Sequence, residues 1–518
     1  MDFWIKAAQL LLSLSILVFL HELGHFIPAR LFKTRVEKFY LFFNPWFSLY
    51  KRKIGETEWG IGWLPLGGYV KISGMVDESM DKEQLAQPAQ PWEFRSKPAW
   101  QRLIIMIGGV TVNIIVGFLI YGMVLGIWGE DQIHSKDLQA GHSIHPYMQK
   151  FGLRSGDNIL EINDQPIVDP NDITAGVMFR NQYKLKVQKA DGTIETITLH
   201  EDVEYELYEN GALPIAGLRH ASTEVNVLAA TKTITADSLW PAEKGRGEND
   251  LNAGQILVAL NGKSINAISS ITPYLNSKNP LYVKTIDGKD TITINVNPAQ
   301  KGTFFSAFPA LKAGLKAGDK IIAIGDRKIV YFDEIVEELY NHKKKTVDVV
   351  AVRGNDTLTL PAQVSEQGTI GFSPVGTNYI DSSKFQTISY GFFGSLSHGT
   401  AEGITSLTDY AGQLKFLFTK KGASSIGGFA SIGNMFAPTW DWKVFWQRTA
   451  LISIILAFMN ILPIPALDGG HVVFLLYEII TRREAPQKVL EYAQMVGFFI
   501  LIALLLYANG NDIIKAIM

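Results

Sequence analysis

Four apolar stretches, each long enough to cross a lipid bilayer, constrain what this chain can fold into. They run from Trp4 to Phe32, Arg102 to Trp128, Phe445 to Ile480 and Val489 to Ala508. A helix that spans a bilayer needs about 20 apolar residues. The first stretch lacks the cleavage site of a signal peptide, so we expect it to be retained. The sequence predicts a multi-pass α-helical membrane protein with four transmembrane helices.

The third stretch cannot be one continuous helix. It is interrupted by Pro463, Pro465, Asp468, Gly469 and Gly470. Proline removes a backbone donor and clashes with the preceding turn. We therefore expect a span that ends near Asn460, a structured turn, and a second helix that begins at about His471.

The distribution of basic residues predicts the orientation of the spans. The loop between the first two stretches holds eleven Lys and Arg residues between Arg30 and Lys97, and the loop before the last stretch holds three more. Cytoplasmic loops are enriched in Lys and Arg, so both loops are expected in the cytoplasm. Both termini and the long region from Gly129 to Val444 are then expected to be extracytoplasmic.

The long region between the spans contains an internal repeat. Its copies are GLRSGDNILEINDQPIVDPNDI (Gly152–Ile173), DLNAGQILVALNGKSINAISSI (Asp250–Ile271) and GLKAGDKIIAIGDRKIVYFDEI (Gly314–Ile335). Each copy has a glycine, a short apolar strand, a polar turn and another strand, but the second has Gln255 in place of Asp. The pattern resembles PDZ domains, and the resemblance implies inserted α+β modules. Three unrelated small β domains are the alternative.

Composition limits the chemistry that this chain can support. The net charge of −2 argues against nucleic-acid binding driven by charge alone. The chain has no cysteine, which excludes disulfides, thiolate metal sites, iron–sulfur clusters and cysteine nucleophiles. Any metal site must therefore use His, Asp or Glu.

The clearest chemical motif lies near the end of the first apolar stretch. It is HELGH, from His21 to His25. Residues four apart share one face of a helix, so both imidazoles could bind one Zn²⁺. Glu22 between them could act as the base towards the hydrolytic water. Because such residues are costly in lipid, we expect a metal site rather than two polar residues at a helix end.

A catalytic zinc site takes a third protein ligand. The broken third stretch offers Asp468 and His471, and seven other histidines lie in the region expected outside the cytoplasm. A carboxylate at membrane depth needs a cation, and its place in the turn slightly favours Asp468. The alternatives are a helix cap for Asp468 and a hydrogen bond at the helix terminus for His471.

These motifs resemble those of the site-2 protease family of intramembrane zinc metalloproteases. HELGH matches HExxH, and NILPIPALDGGH (460–471) matches N-x-x-P-x-P-x-L-D-G. The stretch from Glu56 to Met75 is similar to the membrane-associated β-loop of the RseP branch (regulator of sigma-E protease), and GGVTVN (108–113) to the family's small-residue-to-Asn pattern. The sequence departs from that branch in suggesting three PDZ-like domains rather than two, and in having Phe429 where the family has proline.

The resemblance implies both residue roles and a function. It implies zinc on His21, His25 and Asp468, Glu22 as the base, and Asn460 in contact with the substrate backbone. The implied substrates are single-span membrane proteins, such as anti-sigma factors or remnant signal peptides, cut after a first extracytoplasmic cleavage. It also implies regulated intramembrane proteolysis in the bacterial inner (cytoplasmic) membrane, with the active site near the cytoplasmic side.

Six segments follow from these observations. We expect spans 1 and 2 with HExxH and the β-loop (1–128), a first PDZ-like domain (129–222), a degenerate second one (223–299), a third (300–370), an amphipathic membrane-surface region of short helices (371–444), and spans 3 and 4 with the LDG motif (445–518).

A transmembrane substrate hides its peptide bonds behind intrahelical hydrogen bonds, so it must unwind locally. The strand-like stretch from Trp59 to Ile72 could hold the unwound segment by edge pairing. Gly67 and Gly68 would admit close approach of the substrate backbone, and Tyr69 is the adjoining expected contact. A plain hairpin loop is the alternative.

The sequence leaves two questions open, the role of the repeats and the functional class. The PDZ-like repeats could filter substrates by size over the active-site entrance, or could bind a peptide C-terminus. Two other classes also have an intramembrane site or PDZ domains, namely a transporter with a His/Asp metal site and a scaffold with a vestigial one. A transporter does not account for Glu22 between the two histidines or for the PDZ-like repeats, and an intact HExxH together with Asp468 argues against a vestigial site. The sequence does not indicate an oligomeric state.

Overall fold

A computed structural model describes most of the chain. The described residues are 2–65, 67–75, 87–226, 309–375 and 379–517, with the strand segments 256–260, 263–264, 281–287 and 290–296. Two compact units are present: residues 1–130 with 387–514, and residues 131–386 with 515–518.

The described α-helices number twelve along these residues. They are α1 (Asp2–Leu31), α2 (Ala99–Trp128), α3 (Asn171–Phe179), α4 (Val203–Glu209), α5 (Pro309–Ala313), α6 (Phe332–Asn341), α7 (Phe392–Gln413), α8 (Lys420–Ser425), α9 (Phe429–Gly433), α10 (Trp442–Ile461), α11 (Asp468–Thr481) and α12 (Gln487–Ile517).

The strands form small, mostly antiparallel sheets. In the first 132 residues they are β1 (Val36–Leu41), β2 (Phe43–Ile54), β3 (Thr57–Leu64), β4 (Tyr69–Ile72) and β5 (Glu130–Gln132). The next are β6 (His142–Ile144), β7 (Asn158–Ile162), β8 (Gln165–Pro166), β9 (Lys184–Gln188), β10 (Ile194–Thr198), β11 (Ala216–Leu218) and β12 (Glu224–Asn226). The last are β13 (Ile256–Leu260), β14 (Lys263–Ser264), β15 (Leu281–Asp287), β16 (Asp290–Val296), β17 (Asp319–Ile324), β18 (Arg327–Lys328), β19 (Thr346–Arg353), β20 (Asp356–Gln363), β21 (Ser373–Pro374) and β22 (Gln386–Ile388).

Four of these helices are long and apolar enough to cross a membrane: α1, α2, α10 and α12. The four predicted spans are therefore confirmed in length and composition. The predicted break in the third stretch is also present, because α10 ends at Ile461. The next helix begins at Asp468, three residues before the predicted start, and an acidic residue in the first turn is favourable there.

Glycines bring α1 and α2 into direct backbone contact. A Cβ atom on Gly24 would lie 2.5 Å from the carbonyl oxygen of Gly108, and one on Gly108 would collide with the Gly24 carbonyl. Only residues without side chains permit this approach, which is the usual way that membrane helices pack closely. The pair places the HELGH segment of α1 against the start of the GGVTVN segment of α2.

A four-stranded sheet follows α1 in the order β2-β3-β1-β4. Its central strands, β1 and β3, are parallel, whereas β4 pairs with β1 in antiparallel fashion. Aromatic rings join the sheet to α1: Phe26 packs edge-on against Phe39 and Trp59, with ring centroids 5.7 and 5.1 Å away. The sheet thus lies along the C-terminal half of α1.

The segment before α10 contains the predicted short helices, α8 and α9, and also one longer helix. Its main element, α7, has 22 residues and packs against α2, and its buried residues are Ser395, Gly399 and Gly403. A Cβ atom on Gly399 would lie 2.5 Å from Cα of Gly122. The small residues Ser395, Gly399 and Gly403 therefore give α7 a face that can pack closely against α2.

The GGFASI sequence is held by the last helix. Asp512 of α12 accepts hydrogen bonds from the backbone N–H groups of Gly428 and Ser431, both at 2.9 Å. The side-chain oxygen of Asn509 accepts the N–H of Phe429 at 3.2 Å. These acceptors satisfy the unpaired N–H groups at the start of α9. Phe429, which stands where the family has proline, therefore donates a hydrogen bond that proline could not.

The predicted repeat is visible in the second unit. The first copy forms a sheet in the order β10-β9-β7-β8, and the third copy repeats it as β20-β19-β17 with β18 paired to β17. The second copy lies mostly outside the described residues, but its described strands have the same order, β14-β13-β15-β16. The same order of strands therefore occurs three times among the described residues.

The aspartate of the repeat has the same role in two copies. Asp157 accepts the backbone N–H of Arg154 at 3.0 Å and binds Lys189 Nζ at 3.0 Å. In the third copy Asp319 accepts the N–H of Lys316 at 2.8 Å, and its partner is Arg353 at 2.7 Å. The carboxylate thus joins the turn to a basic residue on the following hairpin. Gln255, its replacement in the second copy, lies outside the described residues.

Strand β12 shows that the second copy is an insertion. This strand was expected in the second module, yet it pairs with β17 and β21 of the sheet that contains the third copy. The chain therefore enters the third sheet, leaves it to form the second copy, and returns. Sequence similarity between copies could not reveal this, because the pairing partners of a strand are not encoded locally.

Candidate metal and catalytic centre

The two histidines of HELGH lie one turn apart on α1 with their rings directed to a common point. Their Nε2 atoms are 3.3 Å apart and the ring planes are nearly perpendicular, at 84°. Helical spacing alone brings residues i and i+4 onto one face. The local part of the predicted site is therefore formed by α1 itself.

The carboxylate of Asp468 completes the group from the start of α11. Its Oδ2 atom lies 3.3 Å from Nε2 of His21 and 3.3 Å from Nε2 of His25. This oxygen is buried and makes no hydrogen bond. The three atoms thus converge on one point, each 3.3 Å from the other two, as ligands around a cation do.

The dimensions of this triangle fit zinc. Ligands about 2.0–2.1 Å from a tetrahedral Zn²⁺ are separated by about 3.3 Å, which is the length of all three edges here. Two imidazole nitrogens and one carboxylate oxygen are also a typical donor set for a catalytic zinc, which leaves one position open. Among the described residues, His21, His25 and Asp468 are the one such group that could hold a metal ion.

The turn before α11 explains why Asp468 is followed by two glycines. A Cβ atom on Gly470 would lie 2.7 Å from the carbonyl oxygen of Ile464, and one on Gly469 would collide with that of Leu462. Ala466 adopts a left-handed conformation with φ of 76°. Its N–H donates to the side-chain oxygen of Gln494 on α12 at 3.3 Å. A tight, externally supported turn therefore places the carboxylate.

Glu22 is buried beside the start of strand β4. It is 8% exposed, and a Cβ atom on Gly68 would lie 3.3 Å from its Cγ atom and 2.7 Å from Val18 Cγ1. The backbone just before β4 therefore passes directly against the helix face that carries Glu22. Any side chain at position 68 would separate the strand from α1.

The other predicted site residues differ in their surroundings. The hydroxyl group of Tyr69 donates to Oδ1 of Asn44 at 2.9 Å, and its ring stacks on that of Tyr40 with the centroids 5.3 Å apart. The Tyr69 side chain is thus held by two residues of the same sheet. Gly67 has a φ of 152°, a conformation that side chains rarely adopt. Asn460 is half-buried in the last turn of α10.

His471, the alternative third ligand, lies one turn into α11 and outside the triangle of donor atoms. Asp468 occupies that position instead. Asp468 and His471 lie in the same broken segment, so the path of the turn between α10 and α11 decides which of them reaches His21 and His25.

Three residues of α2 complete the site, and the sequence predictions did not include them. The carbonyl oxygen of Ile105 lies 2.8 Å from Nδ1 of His25, and Asn113 lies 3.2 Å from Nδ1 of His21. A Cβ atom on Gly109 would be 2.6 Å from Cε1 of the His21 ring. The available signal was an asparagine and paired glycines inside an apolar span, since a buried amide must find a partner.

Comparison with known proteins identifies similar chains over the full length. The model of peptidase family M50 matches residues 9–504. A candidate zinc metalloprotease of Thermotoga maritima is 24% identical, with 97% of this chain and 98% of the relative covered. A regulator of sigma E protease of Haemophilus influenzae is also 24% identical, with coverage of 99% and 100%. A further candidate zinc metalloprotease, of Campylobacter jejuni, is 25% identical over 98% of this chain and 92% of its own length.

Proposed function

The chain belongs to peptidase family M50, and on this premise we propose that it is a zinc metalloendopeptidase that cuts the transmembrane segments of single-span proteins. The observation that carries the proposal is the convergence of His21, His25 and Asp468, with Glu22 buried next to them. A triangle of donors with a base at its side is what hydrolysis of a peptide bond requires.

His21, His25 and Asp468 would hold the zinc ion. Bound there, zinc supplies Lewis-acid polarisation of a peptide carbonyl and makes water a stronger acid. Asp468 is the first residue of α11, where the helix dipole favours a negative charge. The protein therefore offers one anionic and two neutral ligands without leaving a buried charge uncompensated.

Glu22 would move the proton. Its carboxylate takes a proton from the attacking water and passes it to the leaving amine nitrogen. Its burial next to the paired histidines keeps competing bulk water away from the reacting groups. Asn460, at the end of α10, is proposed to hold the substrate backbone, as the family resemblance implies.

The edge of β4 is the proposed dock for the unwound substrate. Among the described strands β4 pairs with β1 alone, so its second edge is available for pairing. Because Gly68 passes against Glu22, a strand added beyond β4 would run close to the base. Main-chain hydrogen bonds would then replace those lost when the substrate helix unwinds. Gly67 and Gly68 would admit the approach, whereas Tyr69 would contribute its backbone.

The proposed setting is a bacterial inner membrane. Four apolar helices and full-length similarity to bacterial relatives support a multi-pass protein of that membrane. His21 lies ten residues before the end of α1, about 15 Å along the helix from the basic loop. Positive residues mark the cytoplasmic side, which supports an active site near that side and an extracytoplasmic second unit.

The proposed substrates are anti-sigma-factor-like proteins and remnant signal peptides, after a first extracytoplasmic cut. One relative is named a regulator of sigma E protease, and its full-length similarity supports this class. The repeated modules of the second unit are proposed to be PDZ-like. A glycine with positive φ, a strand, a short strand and a helix recur in the first and third copies, which supports that assignment.

Cleavage of a single-span protein by the full chain in detergent tests the proposal. Wild-type protein should cut the model substrate within its apolar segment, a zinc chelator should stop the reaction, and added zinc should restore it. The cut is located by mass spectrometry. Absence of cleavage by protein with bound zinc would reject the proposal, and zinc transport by the same protein in vesicles would favour a transporter instead.

A further inference from the structure

The ring nitrogen of His25 that faces away from the donor triangle has an unambiguous partner. Its Nδ1 atom lies 2.8 Å from the backbone carbonyl oxygen of Ile105. A carbonyl oxygen only accepts, so Nδ1 carries the hydrogen and donates it. Nε2 of a neutral imidazole then has its lone pair free, and this atom points at Asp468. Helix α2 therefore sets the tautomer of His25.

The corresponding nitrogen of His21 faces a different group on the same helix. Its Nδ1 atom lies 3.2 Å from Nδ2 of Asn113, whose side chain is completely buried. The second amide atom of Asn113, Oδ1, is buried and makes no hydrogen bond. A half-turn of the carboxamide exchanges oxygen and nitrogen without moving the rest of the side chain.

The chemistry of a ligand decides between the two orientations of this amide. Nε2 of His21 can donate its lone pair to a metal only if the hydrogen of the neutral ring is on Nδ1. The group that faces Nδ1 must then accept, which the amide oxygen does and the amide nitrogen cannot. Either orientation leaves one amide atom unpaired, so the tautomer of His21 is the deciding factor.

We propose that Asn113 is a positioning residue whose side-chain oxygen accepts the Nδ1–H of His21 and so presents Nε2 as a metal ligand. This inference rests on the proposed zinc site. Partners of this kind orient the ring and raise its basicity, and their loss typically weakens metal binding about 10- to 100-fold.

The surroundings of Asn113 suit it to this role. Its backbone carbonyl accepts the hydroxyl group of Ser453 on α10 at 2.7 Å, which ties the middle of α2 to a third helix. The Gly24–Gly108 contact fixes α2 against α1. Because the amide is fully enclosed, it has no water to exchange with, and the hydrogen bond is held in one geometry. One helix thus orients both histidine ligands.

Zinc affinity of full-length variants in detergent tests the proposal without using proteolysis. Asn113→Leu removes the acceptor at nearly constant volume, whereas Asn113→Asp retains an acceptor. Thr449→Val is the matched control, because Thr449 is equally buried and its hydroxyl group bonds only to Phe445 of its own helix. The dissociation constant is measured by competition with a chelator, and the visible spectrum of bound Co²⁺ reports the ligand geometry.

We expect zinc to bind about 10- to 100-fold more weakly to Asn113→Leu, with an altered Co²⁺ spectrum. Asn113→Asp should bind within a few-fold of wild type, and Thr449→Val should be unchanged in both measurements. Equal affinity of Asn113→Leu and wild type would overturn the proposal. If Asn113→Leu does not fold, Asn113→Asp decides: zinc affinity near that of wild type supports an acceptor at this position, whereas a large loss of zinc would mean that the amide acts as a donor and would overturn the proposal.

The outcome is separable from that of the proposed function. Failure of the wild-type protein to bind zinc would reject the metal centre itself. Normal zinc binding by wild type and by Asn113→Leu would reject the role of Asn113 alone.

Discussion

Oδ2 of Asp468 lies 3.3 Å from Nε2 of His21, although these residues belong to the third and first apolar stretches of the chain. The contact depends on the turn between α10 and α11, which returns the chain to the face of α1 that carries HELGH. Single substitutions can remove the carboxylates and the helix contacts of this arrangement one at a time. Each substitution should have its own effect on zinc binding and on cleavage.

Glu22→Gln should retain zinc and lose cleavage. The amide has nearly the same shape as the carboxylate but cannot accept the proton of the attacking water. A base of this kind contributes about 10²- to 10⁴-fold, so the rate should fall by that factor. Cleavage assays with metal-loaded protein measure it, and metal content is the control. Wild-type cleavage by metal-loaded Glu22→Gln would remove Glu22 from the mechanism.

Asp468→Ala should lose zinc, because it removes one of the three proposed ligands. Zinc affinity should fall by more than about 100-fold, which is the upper end of the range for removal of a residue that only supports a ligand. His471→Ala is the matched control, since it lies on the same helix but outside the donor triangle. Metal analysis after dialysis distinguishes the variants. The reverse pattern, with zinc retained by Asp468→Ala and lost by His471→Ala, would reassign the third ligand.

Gly109→Ala should weaken zinc binding by displacing the histidine rings. Its Cβ atom would lie 2.6 Å from Cε1 of His21 and even closer to the His25 ring, which no real contact permits. Gly126→Ala, on the same helix, is the control, because its nearest neighbour would be the Ser395 hydroxyl oxygen at 3.2 Å. We expect at least a tenfold rise in the zinc dissociation constant for Gly109→Ala alone, measured by chelator competition. Equal zinc dissociation constants for Gly109→Ala and Gly126→Ala would mean that the histidine rings can shift without loss of zinc affinity.

The stability of the second unit should depend on pH through His142. This side chain is fully buried, and its Nδ1 atom accepts the N–H of Ile159 at 3.2 Å. Burial lowers the pKa of His142 to about 4. Between pH about 6.5 and 4 the unfolded chain binds a proton that the folded chain does not. Stability should therefore fall as the pH decreases through this window, by about 3 kcal/mol in total, and should not change above it.

Limited proteolysis of the second unit during thermal unfolding, at a series of pH values, measures this dependence. His142→Gln keeps a polar side chain but does not titrate, so it should flatten the profile. His200→Gln serves as the control, since the side chain of His200 is 54% exposed. An unchanged slope in His142→Gln would assign the pH dependence to other groups.

The HELGH pair could be predicted from the sequence because its geometry is local. Residues four apart on a helix share a face whatever else the chain does, so His21 and His25 needed no tertiary information. The repeat was equally accessible, since its glycine, strands and aspartate recur at fixed spacing. Gly67, Gly68, Tyr69 and the role of Asn460 remain predictions, although the contact of Gly68 with the Glu22 face supports the proposed position of β4.

The sequence by itself thus determined the four long apolar helices and the placement of His21 and His25 on one face of α1, because apolar length and helical period are local properties. The tertiary structure decided that Asp468 rather than His471 stands beside them, that Asn113 and Ile105 face their outer nitrogens, and that the second repeat interrupts the sheet of the third. These relationships join residues that are far apart in the chain. They depend on how closely glycine-bearing helices approach and on the path of a turn, which no local pattern specifies.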